Sequence, residues 1–225
     1  MLERAAGTPR WRAGVPMTQA GPPELLQIVR EPINAGGEAA YTEIEDEIAA
    51  ACVALECPHP HLALETLAGQ KEIWWFNFFE SEDERQQVTR AYQRNRPLME
   101  VLTRTSERKS RYTGQVSDKV SRYRADLGRE ARWDILGARY AVLAFADAPL
   151  ARGGPVFEEP DGGRFAVRFF TAFEDAQRFA GTGATVLALR PAWGLPAPEL
   201  IAADPEFWSA NPVVSQSSAP KVTMR

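Results

Sequence analysis

The chain has 225 residues, of which 44% are hydrophobic, 25% charged and 10% aromatic, and its formal net charge at pH 7 is −4. This composition is typical of a soluble globular protein with a sizeable core, and it excludes collagen-like and wholly disordered chains. No apolar run approaches the ~20 residues that cross a bilayer, so we predict no membrane partner and, by default, a cytoplasmic location. The net acidity argues against nucleic acid as a partner.

The first third of the chain predicts a strand, an amphipathic helix and a β-hairpin. Apolar residues recur every three or four positions from Tyr41 to Leu55, which indicates a helix, and Pro58 stops it. Gly69-Gln70 separates two strand-like runs and is typical of a hairpin turn. The predicted elements are a strand over 25–33, a helix over 41–55 and strands over 61–68 and 71–79.

The second strand of this hairpin, with the sequence KEIWWFNFF, carries large apolar side chains on both faces. Alternation along a strand puts Trp74, Phe76 and Phe78 on one face. The opposite face holds Ile73, Trp75, Asn77 and Phe79. A strand that is apolar on both faces needs a cover on each side. We expect helices on one side and a second sheet, a partner subunit or a ligand on the other.

The middle of the chain predicts helices. Ser81 followed by Glu84 is a capping box that opens a long helix, which Pro97 kinks or breaks. Helical spacing then continues over 116–127. Residues 38–84 hold twelve acidic side chains against one basic, whereas residues 85–139 hold fourteen basic against six acidic. This division indicates solvated helix faces or a seam of salt links, and an acidic partner for the basic helix around 104–124 stays an alternative.

The last third predicts a hairpin, a short helix and a buried strand, followed by an irregular tail. Pro160-Asp161-Gly162-Gly163 is a strong turn signal. Trp193, Phe207 and Trp208 are expected to anchor the tail, and residues beyond Asn211 are expected to be disordered. The predicted elements are strands over 140–146, 156–159, 164–170 and 184–189 and a helix over 171–180.

A weak internal repeat links the two halves. Asn77-Phe78-Phe79 runs into one predicted helix and Arg168-Phe169-Phe170 runs into another, at an offset of 91 positions. Each pattern follows a predicted hairpin. We interpret the chain as two related hairpin–helix units.

The element order strand, helix, strand, strand, helix, with one further strand, is the βαββαβ order of a ferredoxin-like unit. With this order and EIWWFNFF followed by SEDE, residues 25–92 resemble the dimeric α/β-barrel superfamily, which includes antibiotic-biosynthesis monooxygenases, NIPSNAP-type proteins and chlorite-dismutase-like haem proteins. The resemblance implies two facing sheets that close a barrel. We predict an α+β fold with a ferredoxin-like unit and a second, degenerate hairpin–helix–strand unit. The repeat favours an arrangement in which the two units form an α/β barrel within one chain. Monomer and homodimer both stay open.

The predicted organisation has four segments. They are a flexible tail over 1–22, the first unit with its long basic helical connection over 23–137, the degenerate second unit over 138–193 and an irregular C-terminal tail over 194–225.

Cysteine and histidine are scarce, which limits the chemistry open to the chain. Cys52 and Cys57 cannot form a disulfide framework, and we expect them to be reduced and packed. His59 and His61 are weak metal-ligand candidates beside Cys57, but prolines stiffen the segment and no second ligand pair appears elsewhere. We therefore predict no metal and no cofactor, with haem as the alternative.

The concave face of the predicted barrel is the expected pocket. Asn77 is an amide among apolar neighbours, and Arg168 is a cation at the corresponding place in the repeat; both could orient a polar group of a ligand. The residues assigned to ligand binding are Ile73, Trp75, Asn77, Phe79, Arg168 and Tyr140.

Three functions stay open from the sequence. The resemblance to cofactor-independent monooxygenases implies that a small hydrophobic or aromatic molecule reacts with oxygen in the barrel cavity, with Asn77 and Trp75 as the catalytic candidates. The alternatives are a non-catalytic structural or partner-binding protein and a haem-binding protein. The sequence does not decide whether the chain is an enzyme.

Overall fold

Eight antiparallel strands close into a barrel in the order β1-β3-β2-β8-β5-β7-β6-β4. The computed structural model describes residues 21–127, 133–145, 153–181 and 183–217. The strands are β1 Leu25–Pro32, β2 His61–Thr66, β3 Glu72–Phe79, β4 Ser117–Tyr123, β5 Tyr140–Phe145, β6 Val156–Glu158, β7 Arg164–Phe170 and β8 Ala184–Leu195. The helices are α1 Glu38–Ala54, α2 Glu82–Arg94, α3 Arg96–Lys109, α4 Phe173–Ala180, α5 Pro198–Ala203 and α6 Pro212–Ser217, with a 3₁₀ turn at Phe207–Ala210.

Each half of the chain supplies four neighbouring strands of the barrel. Within the first half the strand order is β4-β1-β3-β2, and within the second it is β8-β5-β7-β6. β2 pairs with β8, and β4 pairs with β6. The two edge strands of one half therefore pair with the two edge strands of the other half. The barrel is therefore formed within one chain, and the expectation of an α+β barrel fold is confirmed at that level. Within the described ranges, no helix is long and apolar enough to cross a membrane.

Aromatic side chains fill the barrel interior. Phe157 and Phe165 stack with their centroids 5.9 Å apart, and Trp133 lies 4.9 Å from Phe169 and 5.7 Å from Phe78 in edge-on contacts. Close packing of this kind leaves little room for a ligand. The interior side chains from the strands are Leu26, Ile28, Leu62, Leu64, Trp74, Phe76, Phe78, Ala141, Leu143, Phe157, Phe165, Val167, Phe169, Leu187 and Leu189.

The two ends of the barrel are closed differently. One end is plugged by apolar residues of the segment after the first half and of the C-terminal region: Trp133, Ile135, Ala138, Ala197, Leu200 and Trp208. At the other end the Arg30 guanidinium lies 4.3 Å from the centre of the Trp74 ring and binds Glu72 through two nitrogens. A cavity of about 40 Å³ remains beneath Arg30, which is space for no more than a water or two.

Residues 116–127 were predicted to be helical, but strand β4 occupies 117–123 of this range. Leu26 of β1 pairs with Ser121, so Ser121 and its neighbours at alternate positions face the barrel interior. Lys119 and Ser121 are polar although they face inward. The sequence of this strand therefore lacks the alternation of apolar and polar residues that usually identifies a strand. Pairing with β1 and β6 decides the conformation, which local spacing could not predict.

The C-terminal region also differs from its prediction. β8 continues to Leu195, and residues 212–217, expected to be disordered, form α6. Asn211 is fully buried and donates its amide hydrogen to the Pro191 carbonyl at 2.9 Å, which ties this region to the barrel. The predicted anchors Trp193 and Trp208 are buried. Residues 1–20 and 218–225, predicted as tails, lie outside the described residues.

The long helix predicted to begin at Ser81, and to be kinked or broken by Pro97, is broken into two helices. α2 ends at Arg94, and Asn95 caps α3, in which Pro97 occupies the first turn. The capping box at Ser81 is present: Ser81 Oγ accepts from the Glu84 amide at 3.1 Å, and the Glu84 carboxylate accepts from the amide of Glu80 at 2.6 Å. These bonds satisfy two donors that would otherwise be free at this end of α2.

Ser81→Ala is expected to lower the free energy of unfolding by about 1 kcal/mol, because the Glu84 amide loses its acceptor. Urea denaturation of the two proteins measures the change. Ser81→Asp, which keeps an acceptor and adds negative charge at the helix start, is the matched control and should retain the stability. Equal losses in both variants would contradict a capping role.

Candidate functional site

The outer face of β3 lies against α1 and α3 rather than inside the barrel. Ile73 packs with Tyr41 of α1, and Trp75 bonds to Glu31 in a layer that also includes Lys109 of α3. The expectation that Ile73, Trp75, Asn77 and Phe79 line the concave face is wrong. Strand alternation assigned these residues correctly to one face, but the aromatic side chains of the other face are the ones that fit inside the barrel.

A buried network of charged and polar groups, here called the sheet–helix seam, connects this face to the helices. It consists of Glu31, Tyr41, Glu45, Trp75 and Lys109. The Lys109 ammonium lies 2.7 Å from one oxygen of Glu31 and 2.8 Å from Glu45 Oε1. The Tyr41 hydroxyl and the Trp75 indole N–H, the latter at 3.0 Å, both donate to Glu31 Oε2. Glu31 is 6% exposed and Glu45 is 1% exposed, so water screens these contacts poorly.

The seam holds two carboxylates for one cation, and this imbalance shifts the pKa of its members. Burial raises the pKa of Glu45, the Lys109 charge opposes that shift, and the neighbouring Glu31 charge adds to it. Burial lowers the pKa of Lys109, but the two carboxylates outweigh it and hold the pKa above its usual range. Burial, with the charges of Glu45 and Glu31, raises the pKa of Tyr41, which stays protonated.

The sequence carried a signal for the seam that was missed. Glu45 follows Tyr41 by four positions and therefore lies on the apolar side of α1. An acidic residue within an apolar stripe indicates a buried partner of opposite charge. That partner, Lys109, is 64 positions away along the chain, and no local pattern identifies it.

Trp75, Asn77 and His61, here called the outer-face trio, lie side by side on the outer face of the sheet. His61 of β2 pairs directly with Asn77 of β3, and the His61 and Trp75 ring centroids are 5.9 Å apart. All three side chains are half-buried. The trio therefore combines an amide, an imidazole and an indole on one half-buried patch of the sheet.

His61 is also joined to a cluster of sulfur and hydroxyl groups, here called the thiol cluster: Cys52, Cys57 and Tyr92. Cys57 Sγ lies 2.9 Å from the Tyr92 hydroxyl. A hydrogen bond from Cys52, together with the hydrogen bond and charge of His61, holds the pKa of the Cys57 thiol well below its usual range despite burial. Burial lowers the pKa of His61, but the hydrogen bond and charge of Cys57 outweigh it and raise the pKa. The interaction with Cys57 therefore favours the charged form of His61, and the interaction with His61 favours the charged form of Cys57.

Gly194 of β8 allows the backbones of β2 and β8 to approach closely beside His61. Gly194 has φ of +76°, and a Cβ on it would lie 2.7 Å from the His61 carbonyl oxygen. A side chain at this position would push the start of β2 away from β8. Gly194 thus fixes the backbone that carries His61.

The remaining predicted ligand residues lie in a different layer. Tyr140 contacts Phe173 of α4 at 5.6 Å between centroids, and the Arg168 guanidinium lies 5.0 Å from the Phe179 ring. Both residues are on the outer face of the second half, beneath α4. The structure therefore does not bring Arg168 and Tyr140 together with Asn77 in one pocket, because the filled barrel separates the two layers.

His59, one of the two weak metal-ligand candidates, lies in a packed and buried position. His59 is 5% exposed, and its ring is stacked on Phe79 with a centroid distance of 4.5 Å, so this ring face is already occupied. Burial and the nearby His61 charge lower the pKa of His59 to about 4, which keeps it neutral. Among the described residues, no group of three or more histidine, cysteine or acidic side chains is arranged to hold a metal ion.

A polar groove of about 450 Å³ lies on the outer face of β4 beside the start of α2. Its arginines are matched by acids: Arg85 binds Glu82, Arg122 binds Glu24, and Arg124 binds Glu158. The groove therefore offers no excess of positive charge that would select an anion.

The fold and the site define an α+β protein with a closed eight-stranded barrel and a titratable layer between sheet and helices. Neither a family model nor a curated protein sequence matches the chain.

Solved structures show distant similarity. A putative monooxygenase from Fusobacterium nucleatum is 9% identical, with 76% of this chain and 92% of that chain covered and a TM-score of 0.44. A putative monooxygenase from Lactobacillus acidophilus is 6% identical, with 74% and 93% covered and a TM-score of 0.41. A putative chlorite dismutase is 9% identical, with 75% and 95% covered and a TM-score of 0.40. Similarities of this size carry no argument about activity.

Proposed function

We propose that the chain binds a small aromatic molecule at the outer-face trio and oxidises it with molecular oxygen, without a bound cofactor. The observation that carries this proposal is that half-buried Trp75, Asn77 and His61 lie side by side on the outer face of the sheet, and that Cys57 raises the pKa of His61 there. Groups with shifted pKa values that lie together on an accessible patch are typical of reactive sites. The site is therefore the layer between sheet and helices, not the barrel interior.

Each member of the trio has a distinct role in this proposal. The Trp75 indole N–H is held by Glu31, which fixes the ring so that its face can stack on an aromatic substrate. The Nδ1 atom of His61 lies 3.2 Å from the His59 carbonyl oxygen, which fixes the ring, and the raised pKa of His61 favours a positive charge that attracts a substrate phenolate. The Asn77 amide adds a neutral donor for the same oxyanion.

The reaction needs no reductant besides the substrate. A methylene group flanked by hydroxylated rings loses a proton, its carbanion gives electrons to dioxygen, and a carbon–oxygen bond forms. Loss of water from the resulting hydroperoxide leaves a ketone, so that R₂CH₂ and O₂ become R₂C=O and H₂O. Stabilisation of the anionic form by His61 and Asn77 lowers the barrier to the first step.

Oxygen uptake with a hydroxylated anthrone as probe tests the proposal. We expect His61→Gln and Asn77→Ala each to lower kcat/KM at least about tenfold, since the first removes a positive charge and the second a hydrogen-bond donor beside the anion. Gln93→Ala, which truncates an exposed amide on α2, is the matched control and should leave the rate unchanged. Uptake no faster than the rate without protein, or equal rates in all three variants, would reject the proposal.

A non-catalytic structural or partner-binding role is the second candidate, and the filled barrel favours it. Trp133, Phe157 and Phe169 occupy the space in which the predicted ligand would have bound. Under this alternative the seam and the thiol cluster hold the helices on the sheet and do no chemistry. The same oxygen assay separates the two, since only the enzyme is sensitive to Asn77→Ala.

We also propose that the barrel consists of two ferredoxin-like units in one chain. The matching strand orders β4-β1-β3-β2 and β8-β5-β7-β6 support this, as does the equivalent place of β3 and β7 in them. β3 ends at Phe79 and β7 ends at Phe170, which is the 91-residue offset of the repeat. A circular permutant that starts at residue 138 and joins the two ends should fold if the halves are separate units.

A further inference from the structure

The end of α1 brings the two cysteines of the chain against each other. The Cys57 amide donates to the Cys52 carbonyl at 2.8 Å, and the Glu56 amide donates to the Val53 carbonyl at 3.4 Å. Glu56 has φ of +52°, in the left-handed region. Together these features are a Schellman motif, in which the side chains at the Cys52 and Cys57 positions commonly contact each other. A hydrogen bond between the two sulfurs accordingly lowers the pKa of one thiol and raises that of the other.

We propose that Cys57 and Cys52 are a peroxide-reactive pair, in which Cys57 is oxidised first and Cys52 then closes an intramolecular disulfide. The surroundings assign the two roles. Cys57 Sγ lies 2.9 Å from the Tyr92 hydroxyl, and His61 and Tyr92 both lower the pKa of Cys57, whereas the main hydrogen-bond partner of Cys52 is Cys57 itself. Donors stabilise a thiolate, and the thiolate is the nucleophile.

The chemistry balances with a hydroperoxide as the oxidant. The Cys57 thiolate attacks the terminal oxygen of ROOH, the O–O bond breaks, and the sulfur becomes a sulfenic acid as ROH leaves after taking up a proton. The Cys52 thiol then attacks the Cys57 sulfur, the S–O bond breaks, and water leaves as the disulfide forms. Each disulfide therefore consumes one peroxide, and a dithiol reductant restores the pair.

Burial restricts the oxidant. Cys57 is 2% exposed and Cys52 is 3% exposed, so a bulky disulfide such as oxidised glutathione cannot approach the sulfur in line. Hydrogen peroxide is close to water in size and needs only a small opening of the turn after α1. A left-handed non-glycine residue such as Glu56 costs about 1 kcal/mol or more, and this strain favours such an opening.

The experiment uses the full reduced chain, a small excess of hydrogen peroxide, and alkylation of the remaining thiols. Both cysteines lie in the tryptic peptide 31–71, so a disulfide appears as a mass loss of two hydrogens and the absence of both alkyl groups. We expect this product with hydrogen peroxide and none with oxidised glutathione. Two alkylated cysteines after peroxide treatment, or glutathione adducts on either residue, would overturn the proposal.

Single variants test the order of the steps. Cys52→Ser should accumulate a sulfenic acid on Cys57 that dimedone traps, because the resolving thiol is missing. Cys57→Ser should leave Cys52 unmodified at the same peroxide dose. Equal trapping on the two cysteines would overturn the assignment of roles. Circular dichroism verifies that both variants are folded, and the wild-type mass measurement stands without them.

The role of His61 is tested by the rate. His61→Gln removes the cation beside Cys57, and a thiol of ordinary pKa is only a few per cent thiolate at neutral pH, so oxidation should slow about tenfold or more. The difference should shrink steadily as the pH is raised and more of the Cys57 thiol of the variant becomes ionised; a purely structural effect would not change with pH. These readouts follow mass and thiol content, so they hold whether or not the oxygen-uptake activity exists.

Discussion

Lys109→Met is expected to lower the free energy of unfolding by roughly 3–5 kcal/mol, which would be among the largest effects of any single change outside the barrel core. The substitution keeps most of the side-chain volume but leaves Glu31 and Glu45 buried together without a cation. An uncompensated buried carboxylate is far costlier than the loss of an exposed ion pair, because no water replaces the lost partner. Urea or thermal denaturation at pH 7 measures the change.

The dependence on pH gives this prediction a second readout. The pKa of Glu45 is already raised above its ordinary 4.5, and removal of Lys109 raises it further. The folded variant therefore retains a proton that the unfolded chain releases above pH 4.5. Its stability declines as pH rises through this range, and the deficit relative to wild type should shrink as pH is lowered from 7 toward 5.

Two further variants make the test specific. Arg108→Met removes a neighbouring cation whose side chain is 44% exposed and whose partner is Glu47, and it should cost no more than about 1 kcal/mol. Adding Glu45→Gln to Lys109→Met removes one of the stranded charges and should recover part of the loss. A Lys109→Met protein as stable as Arg108→Met would contradict the seam described above.

Trp133→Ala is expected to lower the free energy of unfolding by about 3–5 kcal/mol, because it empties a space inside the barrel that its neighbours cannot fill. Trp133 contacts Phe78, Phe157 and Phe169 with centroid distances of 5.7, 6.1 and 4.9 Å. These rings belong to three strands whose positions are fixed by hydrogen bonds around a closed sheet. The cavity should therefore persist instead of collapsing.

Addition of indole should raise the Tm of Trp133→Ala and leave that of the wild type unchanged, since an apolar cavity binds an aromatic molecule of matching shape. Leu136→Ala, three residues away and 44% exposed, is the matched control and should change stability by no more than about 0.5 kcal/mol. A small loss in Trp133→Ala without rescue would mean that the barrel interior is loosely packed.

The parts of the fold that could be predicted are those whose sequence signals lie within a few neighbouring residues. The helix with apolar residues from Tyr41 to Cys52, the hairpin that follows it and the capping box at Ser81 were predicted because propensity, spacing and turn chemistry act within a few residues. Strand β4 was missed for the opposite reason. Its inward residues Lys119 and Ser121 are polar, and only its two neighbours in the barrel make it a strand.

The site shows the same division. The sequence indicated that Asn77 and Trp75 share a face of an aromatic strand and that His59, His61 and Cys57 lie close together, and both follow from chain geometry alone. It could not indicate which face of β3 turns inward, since both are apolar. The closed sheet decided that Trp74, Phe76 and Phe78 fill the interior and that the outer face meets the helices.

Alternation, capping and helical spacing were thus determined by the sequence itself, because each reflects contacts between near neighbours. The tertiary structure decided the partners across long separations: Lys109 with Glu31 and Glu45, and Cys57 with Tyr92. Burial between a sheet and its helices turns these ordinary side chains into strongly coupled groups, since the electrostatic interaction between two charges grows as water is removed. That coupling arises only when the helices pack on the outer face of the sheet.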